Sequence, residues 1–162
     1  MREFKPSVTV AAVVFDHGKF LLVEEETVAG IRLNQPAGHL ESGESLVAAV
    51  VREALEETAH HVEAHALIGV YLSRFNHPES RTDVTYLRFA FACRLADRPG
   101  GALEAHRPLD AGIIRTHWLD AEEIRSRQAL HRSELVMRVV DDFAAGRRYP
   151  LSVLWSGAGL VP

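Results

Sequence analysis

The sequence has one cysteine, Cys93, so an internal disulfide is excluded and a reducing compartment is expected. It has no excess of positive charge: 18 Lys and Arg stand against 22 Asp and Glu, a formal net charge of -4. A protein held to nucleic acid by phosphate contacts needs a basic face, so no nucleic-acid partner is expected. It has no long hydrophobic run. The longest early apolar stretch, Val8–Phe15, is far too short to span a bilayer and is followed by Asp16. No membrane partner is expected, and the cytoplasm is the expected location. Glycine-rich phosphate loops of the Walker or Rossmann type are missing, as is a Gly-Xaa-Ser-Xaa-Gly nucleophile elbow.

What is present suits one compact domain. With 162 residues, 47% apolar and 25% charged, the chain can bury a real core and has little room for a second domain. No repeat or linker divides it. We expect one domain over residues 1–162, with a core of about 5–146 and a tail of 147–162. It is expected to act as a monomer or homodimer.

Val8–Phe15, the turn Asp16-His17-Gly18 and Lys19–Glu24 predict a β-hairpin with a buried first strand. Further strands are predicted at Ala66–Ser73, Thr82–Leu95 and Ile113–Leu119. Helices are predicted at Asp120–Arg127 and Ser133–Ala145, the second ending at Gly146. The strongest helix is Ser45–Ala59, where Val47, Val50, Val51 and Ala54 make an apolar stripe. Strands and helices in this order predict an α/β fold with a mixed sheet between helical layers.

The same helix carries Glu53, Glu56 and Glu57, which fall within roughly a third of its circumference and are expected opposite the apolar stripe. Carboxylates this close repel unless a cation joins them or solvent screens them. Hard oxygen ligands suit Mg²⁺, with Mn²⁺ as the alternative. A charged run of this kind is by default a solvated face. Its surroundings overturn that default. Gly38, then Glu44 six residues on, then Arg52-Glu53-Ala54-Leu55-Glu56-Glu57, resembles the Nudix box. Six strict positions match, and at about one chance in twenty each an accident is improbable. Ala59 and His60 depart from the box, which has glycine and an aliphatic residue there. Alanine in the left-handed conformation that ends such a helix costs about 1 kcal/mol, or else the helix runs on.

The resemblance implies a Nudix-type α/β/α sandwich and a hydrolase of phosphoanhydride bonds. It implies that the Gly38 carbonyl and Glu53, Glu56 and Glu57 bind the metal, braced by Glu44 and Arg52. Glu53 is the first choice of general base; Asp110 and Glu104 are candidates outside the box. Phe4-Lys5-Pro6, Asn34 to Glu41 and Arg148-Tyr149-Pro150-Leu151 further resemble a bacterial phosphatase branch of the family, over roughly residues 4 to 151. Its members release phosphate from nucleoside tri- and diphosphates and from thiamine-type pyrophosphates. That branch carries a tryptophan before Asn-Gln-Pro, where this chain has Leu33. An aromatic at that position is expected to stack on a substrate ring.

Arg32, His39, Arg81, Arg88 and Asp110 are candidates to meet the substrate, and Phe75, Tyr86 and Tyr149 to stack on a ring, with core packing favoured for Tyr86. Arg147-Arg148-Tyr149 either folds back over the pocket or forms an ordinary exposed tail. His60, His61 and His65 have partial zinc spacing, but without a Cys or Glu partner they predict packing or surface roles. The alternatives left open are a pyrophosphohydrolase of nucleotide sugars or dinucleoside polyphosphates, and a non-catalytic ligand sensor.

Overall fold

In the computed structural model residues 4–77 and 82–161 are described. Strand β1 (Ser7–Asp16) turns through His17 and Gly18 into β2 (Lys19–Thr27), followed by β3 (Gly30–Asn34) and β4 (Ala37–His39). Helix α1 (Leu46–Thr58) precedes the long strands β5 (Val62–His77) and β6 (Thr82–Leu95) and the shorter β7 (Ile113–Leu119). Helices α2 (Ala121–Ser126) and α3 (Leu135–Ala144) complete the core. No helix among the described residues is long and apolar enough to cross a membrane.

The seven strands form one mixed sheet: β1 runs parallel to β6, and the other pairings are antiparallel. β1 explains the layering. Its Val10, Ala12 and Val14 point to the layer that holds α1, with Ala49, Val50 and Ala54. The alternate Ala11 and Val13 point to the layer that holds α3, with Val136, Val139 and Val140. A strand buried on both faces reads as a continuous apolar run, and Val8–Phe15 does.

One relationship fixes where the site lies. β1 and β2 pair only beside their turn, at Phe15↔Phe20 and Asp16↔Lys19. Beyond it β1 joins β4 and β6, while β2 joins β3 and β7. The sheet therefore splits into two wings, and a wedge opens between them.

Candidate functional site

Helix α1 begins at Ser45, whose hydroxyl accepts from the Ala48 amide at 3.1 Å. It ends at Ala59, which adopts the left-handed conformation (φ 58°, ψ 16°) with its amide bonded to Leu55 O at 2.9 Å. Of the two outcomes expected at the missing glycine, the helix stops and alanine takes the strained cap. His60 is buried, with Nδ1 2.7 Å from Thr58 O and its ring edge-on to Trp118. His61 meets Glu104 at 2.5 Å, and His65 is exposed.

The acidic sector of α1 does not lie opposite the apolar one; it borders it. Glu53 is only 7% exposed, beside buried Val50 and Ala54. Seven residues separate Val50 from Glu57, and at about 100° per residue they end within roughly 20° of each other. Burial, reinforced by Glu53, Glu25 and Asp110, pushes the Glu57 carboxyl up to about 8, although its Oε2 accepts the Ala37 amide at 2.8 Å. Burial also raises Glu53, against the opposing pull of Arg52.

Arg52 organises this sector. Its Nε and Nη2 donate to the two Glu44 oxygens at 3.0 and 2.7 Å. Its Nη1 reaches Glu53 at 2.8 Å and Glu56 at 2.9 Å, and its Nη2 also donates to His39 O at 3.0 Å. The hydrogen bond from Arg52 holds the Glu44 carboxyl below its ordinary value, while its carboxylate partners, Glu44 foremost, raise Arg52. Gly38 lies beneath Glu53, placed there by the β4–β1 register Gly38↔Val10. A Cβ on residue 38 would overlap the Glu53 carboxylate, so only glycine admits it.

The donors fit a hard divalent ion: three glutamates of one helix face, one pushed well above its ordinary pKa by burial and like charge. No group of three His, Cys, Asp or Glu side chains among the described residues is drawn together as a ready-made cage. Two of the glutamates are instead turned onto Arg52 and the third onto Ala37.

Beside Gly38 a pocket of about 540 Å³ fills the wedge between the two wings. Thr9, Tyr86 and Arg88 line one wall and Glu25 and Asn34 the other, with Gly38 and His39 at the end near α1. Arg132, Ser133, Glu134 and Leu135, at the start of α3, close it, and Phe75 lies at its mouth. Burial lowers the pKa of Arg88, and its Nε and Nη1 have no hydrogen-bond partner among the described residues.

The structure sorts the candidates. Arg88, His39, Phe75 and Tyr86 line the pocket, so Tyr86 is not simply a core residue. Asp110 approaches the carboxylates: its amide donates to Glu56 O at 3.1 Å, and its charge raises both Glu53 and Glu57. Glu104 does not, being held by His61, Arg107 and Arg98. Arg32 turns back onto Ile31 O at 2.8 Å and does not line the pocket. Arg81 lies outside the described residues.

Tyr149 pairs with Leu67 on β5, and Arg148 stacks on Phe143, so this tail does not fold over the pocket. Leu33 is 2% exposed among the core residues facing α3. An aromatic there would pack inward, so the departure from tryptophan bears on the core and not on ring stacking. Thr9, Glu25 and Arg132 are not marked by the sequence as site residues, and Asn34 is marked only as the start of the Asn34–Glu41 resemblance. Thr9, the only polar residue in Val8–Phe15, was the available signal; Glu25 is hidden in a run of three glutamates.

Residues 5–139 match the family model described as the NUDIX domain. The chain is 42% identical over 152 residues to the phosphatase NudJ of Escherichia coli strain K12, covering 93% of this chain and 92% of the relative. A solved NUDIX hydrolase from Nitrosomonas europaea is 46% identical, with a TM-score of 0.84 over 96% of this chain and 99% of its own. The MutT protein from Methanosarcina mazei Go1 shares the fold at 20% identity, with a TM-score of 0.67 over 91% of this chain and 100% of its own.

Proposed function

The chain belongs to the Nudix hydrolase family, and from that premise we propose that it is a Mg²⁺-dependent phosphatase. Its substrates in this reading are nucleoside tri- and diphosphates and thiamine-type pyrophosphates, from which it releases orthophosphate. The observation that carries it is the single guanidinium of Arg52 holding Glu44, Glu53 and Glu56 above a glycine that leaves room for the Glu53 carboxylate.

In this reading Glu53, Glu56, Glu57 and the Gly38 carbonyl hold Mg²⁺, or Mn²⁺ in its place. A bound divalent ion would neutralise charge on the phosphoryl oxygens and the leaving group. Glu44 fixes Arg52, and Arg52 in turn fixes the planes of Glu53 and Glu56. Glu53, held basic by burial, takes the proton of the attacking water as its oxygen bonds to phosphorus. The anhydride P–O bond breaks on the opposite side, and the leaving oxygen departs with the electron pair. Asp110, pinned to the end of α1, is the second candidate for the base. The pocket beside Gly38 receives the organic part of the substrate. The whole chain serves as one catalytic domain, and the free thiol of Cys93 agrees with a cytoplasmic setting.

Purified protein with Mg²⁺ should release orthophosphate from a nucleoside triphosphate or from thiamine pyrophosphate, and lose that activity in excess chelator. Nucleoside monophosphate as the first product from nucleotide sugars or dinucleoside polyphosphates would move the assignment to a pyrophosphohydrolase. Binding without turnover across a broad diphosphate panel would make it a sensor.

A further inference from the structure

Among the described residues, the buried side-chain atoms without a hydrogen-bond partner are Thr9 Oγ1, Glu25 Oε1, Asn34 Oδ1, Gln35 Oε1 and the Nε and Nη1 of Arg88. All but the Gln35 oxygen belong to residues that line the wedge pocket. Folded proteins leave few buried polar atoms unpaired, and a concentration of them on one cavity marks groups that meet water or a ligand there. A ligand that displaces the water without replacing its bonds binds poorly.

The orphan atoms specify what the ligand must offer. Arg88 presents two donors and can accept nothing. Glu25 Oε1 requires a donor; its nearest cation is Arg132 Nη1 at 3.7 Å, too far for a hydrogen bond. The two side chains face each other across the wedge, on β6 and β2, and Arg88 feels the charge of Glu25 and, against it, that of Arg132. A phosphate satisfies Arg88, and Arg132 beside Glu25 offsets part of its charge, but it brings no donor for Glu25 Oε1. A group with acceptors on one side and a donor next to them satisfies both.

We propose that Arg88 and Glu25 determine specificity by reading a heterocycle edge that presents two adjacent acceptors beside one donor. The inference rests on the reading of this pocket as the seat of a nucleotide-type substrate. Cytosine offers that order in O2, N3 and the N4 amine, and guanine in N7, O6 and N1–H. Uracil and adenine alternate donor and acceptor, so against them Glu25 is met but only one of the two unpaired Arg88 nitrogens is. An aminopyrimidine ring offers the donor and one adjacent acceptor, which satisfies Glu25 and half of Arg88. Phe75 and Tyr86 add aromatic surface near the mouth. Arg88 and Thr9 are register partners, as are Thr9 and His39, so this edge sits about two strand spacings, roughly 10 Å, from the residue next to Gly38.

The test is calorimetric binding of GMP, CMP, UMP and AMP, which share one phosphate and differ only in the base. The parent should bind GMP and CMP each about tenfold or more tightly than UMP or AMP, the effect of one well-made bidentate contact. Glu25→Gln and Arg88→Gln, each checked for an unchanged circular-dichroism spectrum, should reduce that preference to about threefold or less. Glu25→Gln alone decides the matter if Arg88→Gln does not fold. Equal affinity for all four ligands, or none for any, overturns the inference. So does a uniform loss in both variants that extends to inorganic pyrophosphate, which would give Arg88 to the phosphates. Failure of the phosphatase reading shows separately, as absence of turnover, because these ligands have no anhydride bond to cleave.

Discussion

The Glu53 carboxylate lies over Gly38, in the space that a side chain at residue 38 would need. Strand β4 and helix α1 thus meet across a gap of one missing methyl group. Gly38→Ala should displace the carboxylate and leave the fold intact, because the overlap is with the far end of one flexible side chain. We expect Tm to fall by no more than a few degrees and kcat to drop about 100-fold or more, the scale of a misplaced catalytic group. Steady-state assays beside a thermal melt check it. Near-parental kcat would show that the carboxylate does not need that place.

Burial of Glu57 gives the metal-free protein a pH dependence of defined sign. Its carboxyl rises from 4.5 to about 8 on folding. Below pH 4.5 both folded and unfolded chains hold the proton, and the group contributes nothing. Between 4.5 and about 8 the unfolded chain has lost a proton that the folded chain keeps, so stability is lost as pH rises. In chelator, Glu57→Gln should therefore melt progressively higher than the parent from pH 5 to pH 8. Mg²⁺ should stabilise the parent at pH 8 more than it stabilises the variant, which keeps only Glu53, Glu56 and the Gly38 carbonyl. A difference in Tm that stays flat with pH would mean that Glu57 ionises freely.

Arg52 serves three carboxylates and one carbonyl with a single planar fork. Lysine keeps the charge but cannot donate along Nε, Nη1 and Nη2 together. Arg52→Lys should cost about 10- to 100-fold in kcat, as is typical when a ligand loses the group that orients it, and should raise the Mg²⁺ concentration for half-activity. A Mg²⁺ titration of activity measures both. An unchanged titration would reduce Arg52 to a surface ion pair.

Sequence legibility followed local chemistry. The hairpin, the strand Thr82–Leu95 and helix α1 were readable because period and caps are properties of consecutive residues. Gly38, Glu44 and Arg52 are legible as a set through their resemblance to the Nudix box, and the short loop before α1 turns that spacing into proximity. β5 runs from Val62 to His77, well beyond the apolar segment Ala66–Ser73, because its ends are held by β6 and not by their own pattern. The walls of the pocket come from β1, β2, β3, β6 and the start of α3, brought together where β1 and β2 part. No spacing in one strand encodes that divergence. Arg88 is legible only as an arginine near the site, and nothing in the run Glu24-Glu25-Glu26 marks Glu25 as a pocket residue.

Cys93 is fully enclosed in the layer beneath α1, and burial pushes its thiol up to about 12. At pH 8 almost none of it is thiolate, and the thiolate is the reactive form. Iodoacetamide should leave the native protein unlabelled over an hour and label it within minutes in denaturant, as read by intact mass. Ready native labelling would show that this layer opens.

Ala59 holds a left-handed cap and is only 4% exposed. Three effects decide what glycine would do there. Relief of the left-handed strain favours Ala59→Gly by about 1–2 kcal/mol. Loss of the buried methyl opposes it by about 0.8 kcal/mol, and the added freedom of the unfolded chain by about 0.4–1 kcal/mol. These nearly cancel. Ala59→Gly should therefore shift Tm by less than about 3 °C and leave kcat and the Mg²⁺ requirement unchanged, since Glu53, Glu56 and Glu57 all precede the cap. A loss of activity with unchanged Tm would show that the closing turn of α1 sets the position of Glu57, making the departure at residue 59 a functional one.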